Sequence, residues 1–174
     1  KLTEKLSDGF YTGENYDPEL KLAVSGTALI KGTDYTVEYF KDVNVGEAYA
    51  LVTGRGKYEG TAKFKYKILP FDATEDKTSI TVDCVDTVKF VKGGAKPVPT
   101  VKFNGNILTE NVDYKLSYSN NTKIGLKDAT NKKGKMVAPT VKVSFKGNFK
   151  GTKTRYFTIE KQSITAVDTY AADK

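Results

Sequence analysis

The run Asp34-Tyr35-Thr36-Val37-Glu38-Tyr39 decides the reading, because it returns as Asp113-Tyr114-Lys115-Leu116-Ser117-Tyr118, 79 positions later. Each run places an aromatic or apolar side chain at every second position, the period of a half-buried strand. Working outward, the same offset pairs Tyr11 with Phe90, Pro18 with Pro97, Gly26 with Gly105, Leu29 with Leu108 and Gly46 with Gly125, without a gap. Beyond Gly46 the offset becomes 91. Gly56-Lys57-Tyr58-Glu59-Gly60-Thr61 then meets Gly147-Asn148-Phe149-Lys150-Gly151-Thr152, and Ile68 meets Ile159. The change of offset marks a 12-residue insertion in the second copy, near Leu126 to Val137. The 12 identities over 56 aligned positions fall on Gly, Pro, Asp-Tyr and apolar sites, where structure restricts the choice. The chain is expected to hold two copies of one module.

Boundaries follow from the alignment. The first module is expected over residues 1–70, a connector over 71–77, and the second module over 78–161, with its loop insertion near 126–137. In the tail, residues 162–174, Ser163-Ile164-Thr165 echoes Ser79-Ile80-Thr81 at the start of the second module. The tail is read as the first strand of a third copy; an added edge strand and a disordered segment are the alternatives. The chain does not begin with Met and shows neither a leader nor an anchor, so it reads as a fragment or processed product, an interior slice of an array.

Each module is expected to be all-β. No stretch of 11 residues carries apolar positions at helical spacing. Alternation is frequent instead: Leu20, Leu22 and Val24; Tyr35, Val37 and Tyr39; Ala62, Phe64, Tyr66 and Ile68; Val141, Val143 and Phe145. Turn residues separate these runs, among them Ser25-Gly26, Gly54-Arg55-Gly56, Asn104-Gly105 and Ser119-Asn120-Asn121. Short strands with turn signals at near-regular intervals, in modules of about 75 to 90 residues, fit an immunoglobulin-like sandwich near its lower size limit.

Composition narrows the chemistry. His and Trp are absent, Cys84 and Met136 are single, and 11 Tyr and 9 Phe supply the large rings. Without His there is no Ser-His or Cys-His nucleophile pair and no histidine metal ligand. One Cys closes no internal disulfide and forms no CxxC site. No apolar run reaches the length of a membrane-spanning helix. Stability is left to packed Tyr, Phe, Val, Leu and Ile, at roughly 1.5–3 kcal/mol for each large side chain buried.

The paired signature is Leu29-x4-Asp34-Tyr35-x-Val37-x-Tyr39-x6-Gly46 with Gly56-x-Tyr58-x-Gly60-Thr61 and a strand ending at Ile68. It recurs as Leu108-x4-Asp113-Tyr114-x-Leu116-x-Tyr118-x6-Gly125 with Gly147-x-Phe149-x-Gly151-Thr152 and Ile159. This pattern resembles the tandem bacterial immunoglobulin-like repeats of secreted and cell-surface proteins of Gram-positive gut anaerobes. The resemblance covers nearly the whole chain. It implies two tandem immunoglobulin-like β-sandwich modules outside the cell, acting as spacer or adhesin stalk, with no catalytic residues to carry over. The second copy departs from the pattern by its insertion and by Arg155 where the first has Phe64.

Candidate binding residues come from charge and exposed rings. The net charge of +7 is local: residues 1–70 balance ten basic against ten acidic side chains, and Lys123 to Arg155 holds ten basic residues and one acid, Asp128. A basic face around Lys132, Lys133, Lys135 and Arg155 would attract a glycan, an anionic wall polymer or a host protein. A solvated strand face and loop is the simpler reading. Tyr58 and Phe149 are candidate stacking rings for sugars, although pinning of a Gly-rich turn explains the same residues. Asp34 and Asp113 read as turn-capping carboxylates, and Asp42 to Glu47 reads as a hairpin loop rather than a calcium site. Cys84 reads as a small core residue.

The chain is therefore expected to be a non-enzymatic, extracellular spacer that presents neighbouring domains of the same chain, without cofactor or metal, and monomeric. The alternative is an adhesin-type binding module using the basic face of the second module. Nucleic-acid binding ranks lower, because the lysine cluster lacks an interleaved row of aromatics.

Overall fold

The computed structural model describes residues 6–163. The expectation for the tail, residues 162–174, falls almost wholly outside them. Among the described residues there is no helix; the chain is all-β, with several small sheets layered as a sandwich. It divides into two compact units, residues 1–72 with 147–150, and residues 73–146 with 151–174.

The first unit contains β1 (Gly9–Phe10), β2 (Ala23–Val24), β3 (Thr27–Ala28), β4 (Tyr35–Phe40), β5 (Gly46–Gly54), β6 (Thr61–Leu69) and β7 (Phe71–Asp72). The second contains β8 (Ile80–Asp83), β9 (Thr87–Lys89), β10 (Thr100–Phe103), β11 (Asn106–Ile107), β12 (Tyr114–Ser119) and β13 (Thr140–Phe145). After β14 (Phe149–Lys150), which belongs to the first unit, the second is completed by β15 (Thr152–Tyr156) and β16 (Thr158–Glu160).

In the first unit the main sheet has the order β1-β6-β5-β4, and β2-β3 forms a separate hairpin. Large rings stand opposite small residues across it. Tyr66 faces Ala48, Phe64 and Tyr39 flank Ala50, and Tyr35 faces Gly54. Small residues on the central strand make room for rings from both neighbours, which is how a core without Trp is filled to close packing. Leu6, Leu20 and Ile68 complete that core, with Leu22 and Leu29 packed against it. In the second unit, sheets β12-β13-β15 and β11-β10-β8 accompany the parallel pair β16-β9. Ala95, Val141, Phe157 and Ile159 form a buried cluster there, with Cys84 half-buried against it.

The two copies share their pairings as well as their residues. Gly9 pairs with Ile68 and Val88 with Ile159 in parallel. Tyr35 pairs with Gly54 and Tyr114 with Phe145. Gly46 meets Ile68, as Gly125 meets Ile159. All of these pairs obey the offsets 79 and 91. The turn carboxylates match too: Asp34 accepts from the Ile30 amide and Asp113 from the Thr109 amide, each at 2.8 Å. The β2-β3 and β10-β11 hairpins both turn through two residues of positive φ, Ser25 (49°) and Gly26 (83°), and Asn104 (47°) and Gly105 (82°). That is the backbone of a type I′ turn, which Gly at the second position makes cheap.

Segment 71–77, expected as a connector, is structured. Phe71 and Asp72 pair in parallel with Phe149 and Lys150 within the first unit. Asp76 accepts the Ile80 amide at 2.7 Å. Burial pushes its carboxyl up, but the amides of Ile80, Ser79 and Thr78 and the Ser79 hydroxyl outweigh this and hold it below the ordinary value.

The tyrosine hydroxyls close the outer layer. Tyr39 donates to the Pro18 carbonyl at 2.8 Å, and Tyr118 donates to the Pro97 carbonyl at 2.9 Å. Tyr39→Phe and Tyr118→Phe are each expected to cost about 1 kcal/mol, in urea denaturation followed by tyrosine fluorescence. Matched losses would show that the two bonds do the same work; a neutral result at either site would deny it a stabilising role.

Candidate functional site

The insertion provides the clearest exposed cluster. Its chain folds back on itself through the bridge Thr130↔Met136, and the Val137 amide donates to the Ala129 carbonyl at 2.8 Å. Asn131 organises the tip: its side-chain oxygen accepts the Lys133 and Lys135 amides at 2.9 and 3.0 Å, and its own amide donates to the Lys135 carbonyl. Gly134, at φ 74°, completes the turn. Lys132, Lys133 and Lys135 are consequently presented on a pinned tip, exposed and without an ion pair among the described residues. The base is also tied, since Lys127 pairs with Asp86 at 2.8 Å and its amide donates to the Thr158 hydroxyl.

Three other basic residues of this stretch, Arg155, Lys153 and Lys150, are committed elsewhere. Arg155 donates through Nε to the Val82 carbonyl at 2.9 Å and through Nη1 to the Thr154 carbonyl at 3.3 Å. It is therefore a brace between β15 and β8 and does not join the lysine cluster as a free charge. Lys153 donates to the carbonyls of Thr74 and Asp76. Lys150 pairs with Asp72 at 3.2 Å.

The two candidate stacking rings part company. Phe149, expected as a platform for sugars, is 3% exposed in the first unit. It meets Tyr11 edge-on at 5.2 Å and Phe71 at 6.4 Å. A ring enclosed in this way has no face to offer a sugar, so its role is corrected to packing. Beside it, Asn148 accepts the Val45 amide and donates to the Asn44 side chain, both at 2.9 Å, a polar clasp that the repeat pattern did not single out. Tyr58 is half-buried and borders a cavity of about 240 Å³ that Leu22, Val24, Tyr35 and Phe64 also line. None of the seven tyrosines of the first copy is exposed; Phe40 and Tyr49 stack at 4.9 Å, and Lys63 sits 3.6 Å over the Tyr49 ring.

Carboxylates serve as structure. Asp42, in the loop weighed for calcium, is buried and accepts from the Asn15 amide group at 2.6 Å. Among the described residues no group of three or more His, Cys, Asp or Glu is placed to hold a metal. Burial pushes the Cys84 thiol up, which disfavours the reactive thiolate. No protein-family model matches the chain, and no curated protein matches it.

Asp17 is the titrating group with a consequence. Burial holds its carboxyl above the ordinary 3.8, the Asp42 carboxylate adds to this by charge and by hydrogen bond, and Lys31 opposes them. A raised folded value means that Asp17 contributes stability below pH 3.8 and that this is lost as pH rises through the folded value. Asp17→Asn is expected to raise Tm at pH 7 by about 1–3 °C, a surface-sized effect, and the gain should disappear below pH 3.8. Calorimetry across pH checks the sign; a gain that persists in acid would refute this assignment.

Proposed function

We propose that the chain is a pair of tandem immunoglobulin-like modules from a secreted or cell-surface bacterial protein, and that it acts as a spacer presenting neighbouring domains. One observation carries this reading: strand registers, turn carboxylates and tyrosine locks recur at the same two offsets. Repetition of one strand pattern is how a chain gains length without adding chemistry. The polar side chains agree with that use. Asp34, Asp113, Tyr39, Tyr118, Asn131 and Arg155 all hold backbone groups, which leaves them stabilising rather than reacting.

The exposed lysine tip supports a second reading, capture of an anionic glycan or wall polymer. Such capture would be charge-driven and weakened by salt. It concerns one hairpin, whereas the spacer reading accounts for both copies.

Pulling the full chain from its ends tests the spacer. Two lengthening steps are expected, of about 25 and about 30 nm, from the extended reach of 70 to 84 residues. A single step that releases the entire chain would defeat the modular reading. Retention on an anionic polymer that is unchanged by Lys132→Ser, Lys133→Ser and Lys135→Ser together would defeat the second.

A further inference from the structure

We propose that Asn104 is a site of spontaneous covalent modification, at which the Gly105 main-chain nitrogen attacks the Asn104 side chain and converts it to aspartate and isoaspartate. The reaction needs only water and hydroxide, and it does not depend on the spacer reading. Hydroxide takes the Gly105 amide proton, and the nitrogen adds to the side-chain carbonyl carbon, Cγ. A new N–Cγ bond closes a succinimide ring. The bond from Cγ to the side-chain nitrogen breaks, and that nitrogen takes a proton from water and leaves as ammonia. Water then opens the ring. Addition at Cγ restores the ordinary main chain as aspartate. Addition at the Asn104 main-chain carbonyl leaves the chain running through Cβ and Cγ, as isoaspartate. Nothing is oxidised or reduced, and either product carries a carboxylate where a neutral amide stood.

The attack requires an unhindered nitrogen that is not already donating, and a side chain free to meet it. The β10-β11 turn supplies both. Asn104 and Gly105 are exposed, and the two-residue strand beyond them, β11, is exposed as well. Apart from its chain neighbours, nothing lies within 4 Å of where a Cβ on Gly105 would stand. Among the described residues the Gly105 amide has no acceptor and the Asn104 side chain makes no hydrogen bond. The Asn104 main chain is anchored separately, its amide donating to the Ser79 carbonyl at 2.9 Å. Side-chain packing therefore does not oppose rotation of the Asn104–Gly105 peptide toward the side-chain amide.

The other asparagines lack one condition or both. Of the nine, Asn104 alone precedes a glycine. The side chains of Asn15, Asn44, Asn120, Asn121, Asn131 and Asn148 are each held in a hydrogen bond. Asn106 and Asn111 precede Ile107 and Val112, whose branched Cβ crowds the nitrogen, and the Val112 amide already donates to the Thr109 carbonyl. In the first copy the same backbone carries Ser25-Gly26, and a hydroxyl offers no carbonyl carbon to attack. The reaction is thus confined to the second unit. Its isoaspartate product adds one carbon to the main chain inside a two-residue type I′ turn, which that turn cannot absorb. The pair Phe103↔Asn106 is the first to give way, at the end of the strand whose Val101 and Phe103 are buried beside β8.

Prolonged incubation of the folded full chain in mildly alkaline buffer tests this, with a guanidinium-unfolded sample as reference. Tryptic peptides are then sequenced by fragmentation mass spectrometry, and isoaspartate is scored by methyltransferase labelling. The folded chain is expected to gain the mass of an amide-to-acid change at Asn104, with ammonia released in equal amount and a rate that rises with hydroxide. Asn104→Ser, which copies the first unit, should stop the reaction and leave the far-ultraviolet circular dichroism unchanged. In the isoaspartyl form, isolated by ion exchange, hydrogen exchange should quicken in β10 and β11 and stay unchanged in β4 to β6. Asn104→Asp adds the charge without the extra carbon, so it should keep the protection of β10. A folded chain that stays unconverted while the unfolded one reacts would overturn the proposal, because the turn would then shield the site. Conversion spread evenly over the other asparagines would overturn it too, as would an isoaspartyl form whose β10 amides exchange like those of the unmodified chain.

Discussion

Each copy depends on a carboxylate that accepts the amide four residues before it. Asp34 and Asp113 close a tight loop ahead of a long strand, and the next residue, Tyr35 or Tyr114, is driven into the core. Second bonds lock the same loop: the Asp34 amide donates to the Ile30 carbonyl and the Asp113 amide to the Thr109 carbonyl, both at 2.8 Å. Because side chains alternate along a strand, the residue that enters first sets the face of every one that follows. With Tyr35 inward, Val37 and Tyr39 turn toward the core, and Thr36 and Glu38 face solvent.

That constraint matters more in a core without Trp or a disulfide. Rings supply the volume, and their hydroxyls have to be satisfied. Tyr66, nearly fully buried, donates to the Tyr16 carbonyl at 3.0 Å, and burial, with the charges of Asp42 and Asp17 adding to it, pushes its ionisation far above the usual tyrosine range. In the second copy Phe157 occupies the aligned position and needs no partner, so ring volume is kept where the hydrogen bond is not. The bonds that remain common, from Tyr39 and Tyr118, run to Pro carbonyls and tie the sheet to the segment that covers it.

The fold was legible to the extent that it is periodic. Alternation marked the strands from Tyr35, Thr61 and Thr140, and Ser25-Gly26 and Asn104-Gly105 marked turns that need positive φ. The candidate site was legible only in part. Lys132, Lys133 and Lys135 stand on an exposed tip as their composition suggested, because a charged hairpin gains nothing by burial. The enclosure of Phe149 and the carbonyl partners of Arg155 were not legible in the same way. Gly-x-aromatic-x-Gly describes a turn and says nothing of what lies over its ring, and a cation in a strand gives no sign that a carbonyl waits beside it.

What the chain order alone determined was local and repeated: which residues alternate, where the backbone turns, and which carboxylates reach an amide four positions away. These depend on neighbours within a few residues, so they are written wherever the motif is written. The tertiary structure decided which of two like residues is enclosed. Val24 and Phe103 sit at matching positions, yet Val24 is 44% exposed and Phe103 6%, and among the described residues only β10 has a strand such as β8 alongside it. Burial is a property of what packs against a residue, and that partner comes from distant sequence.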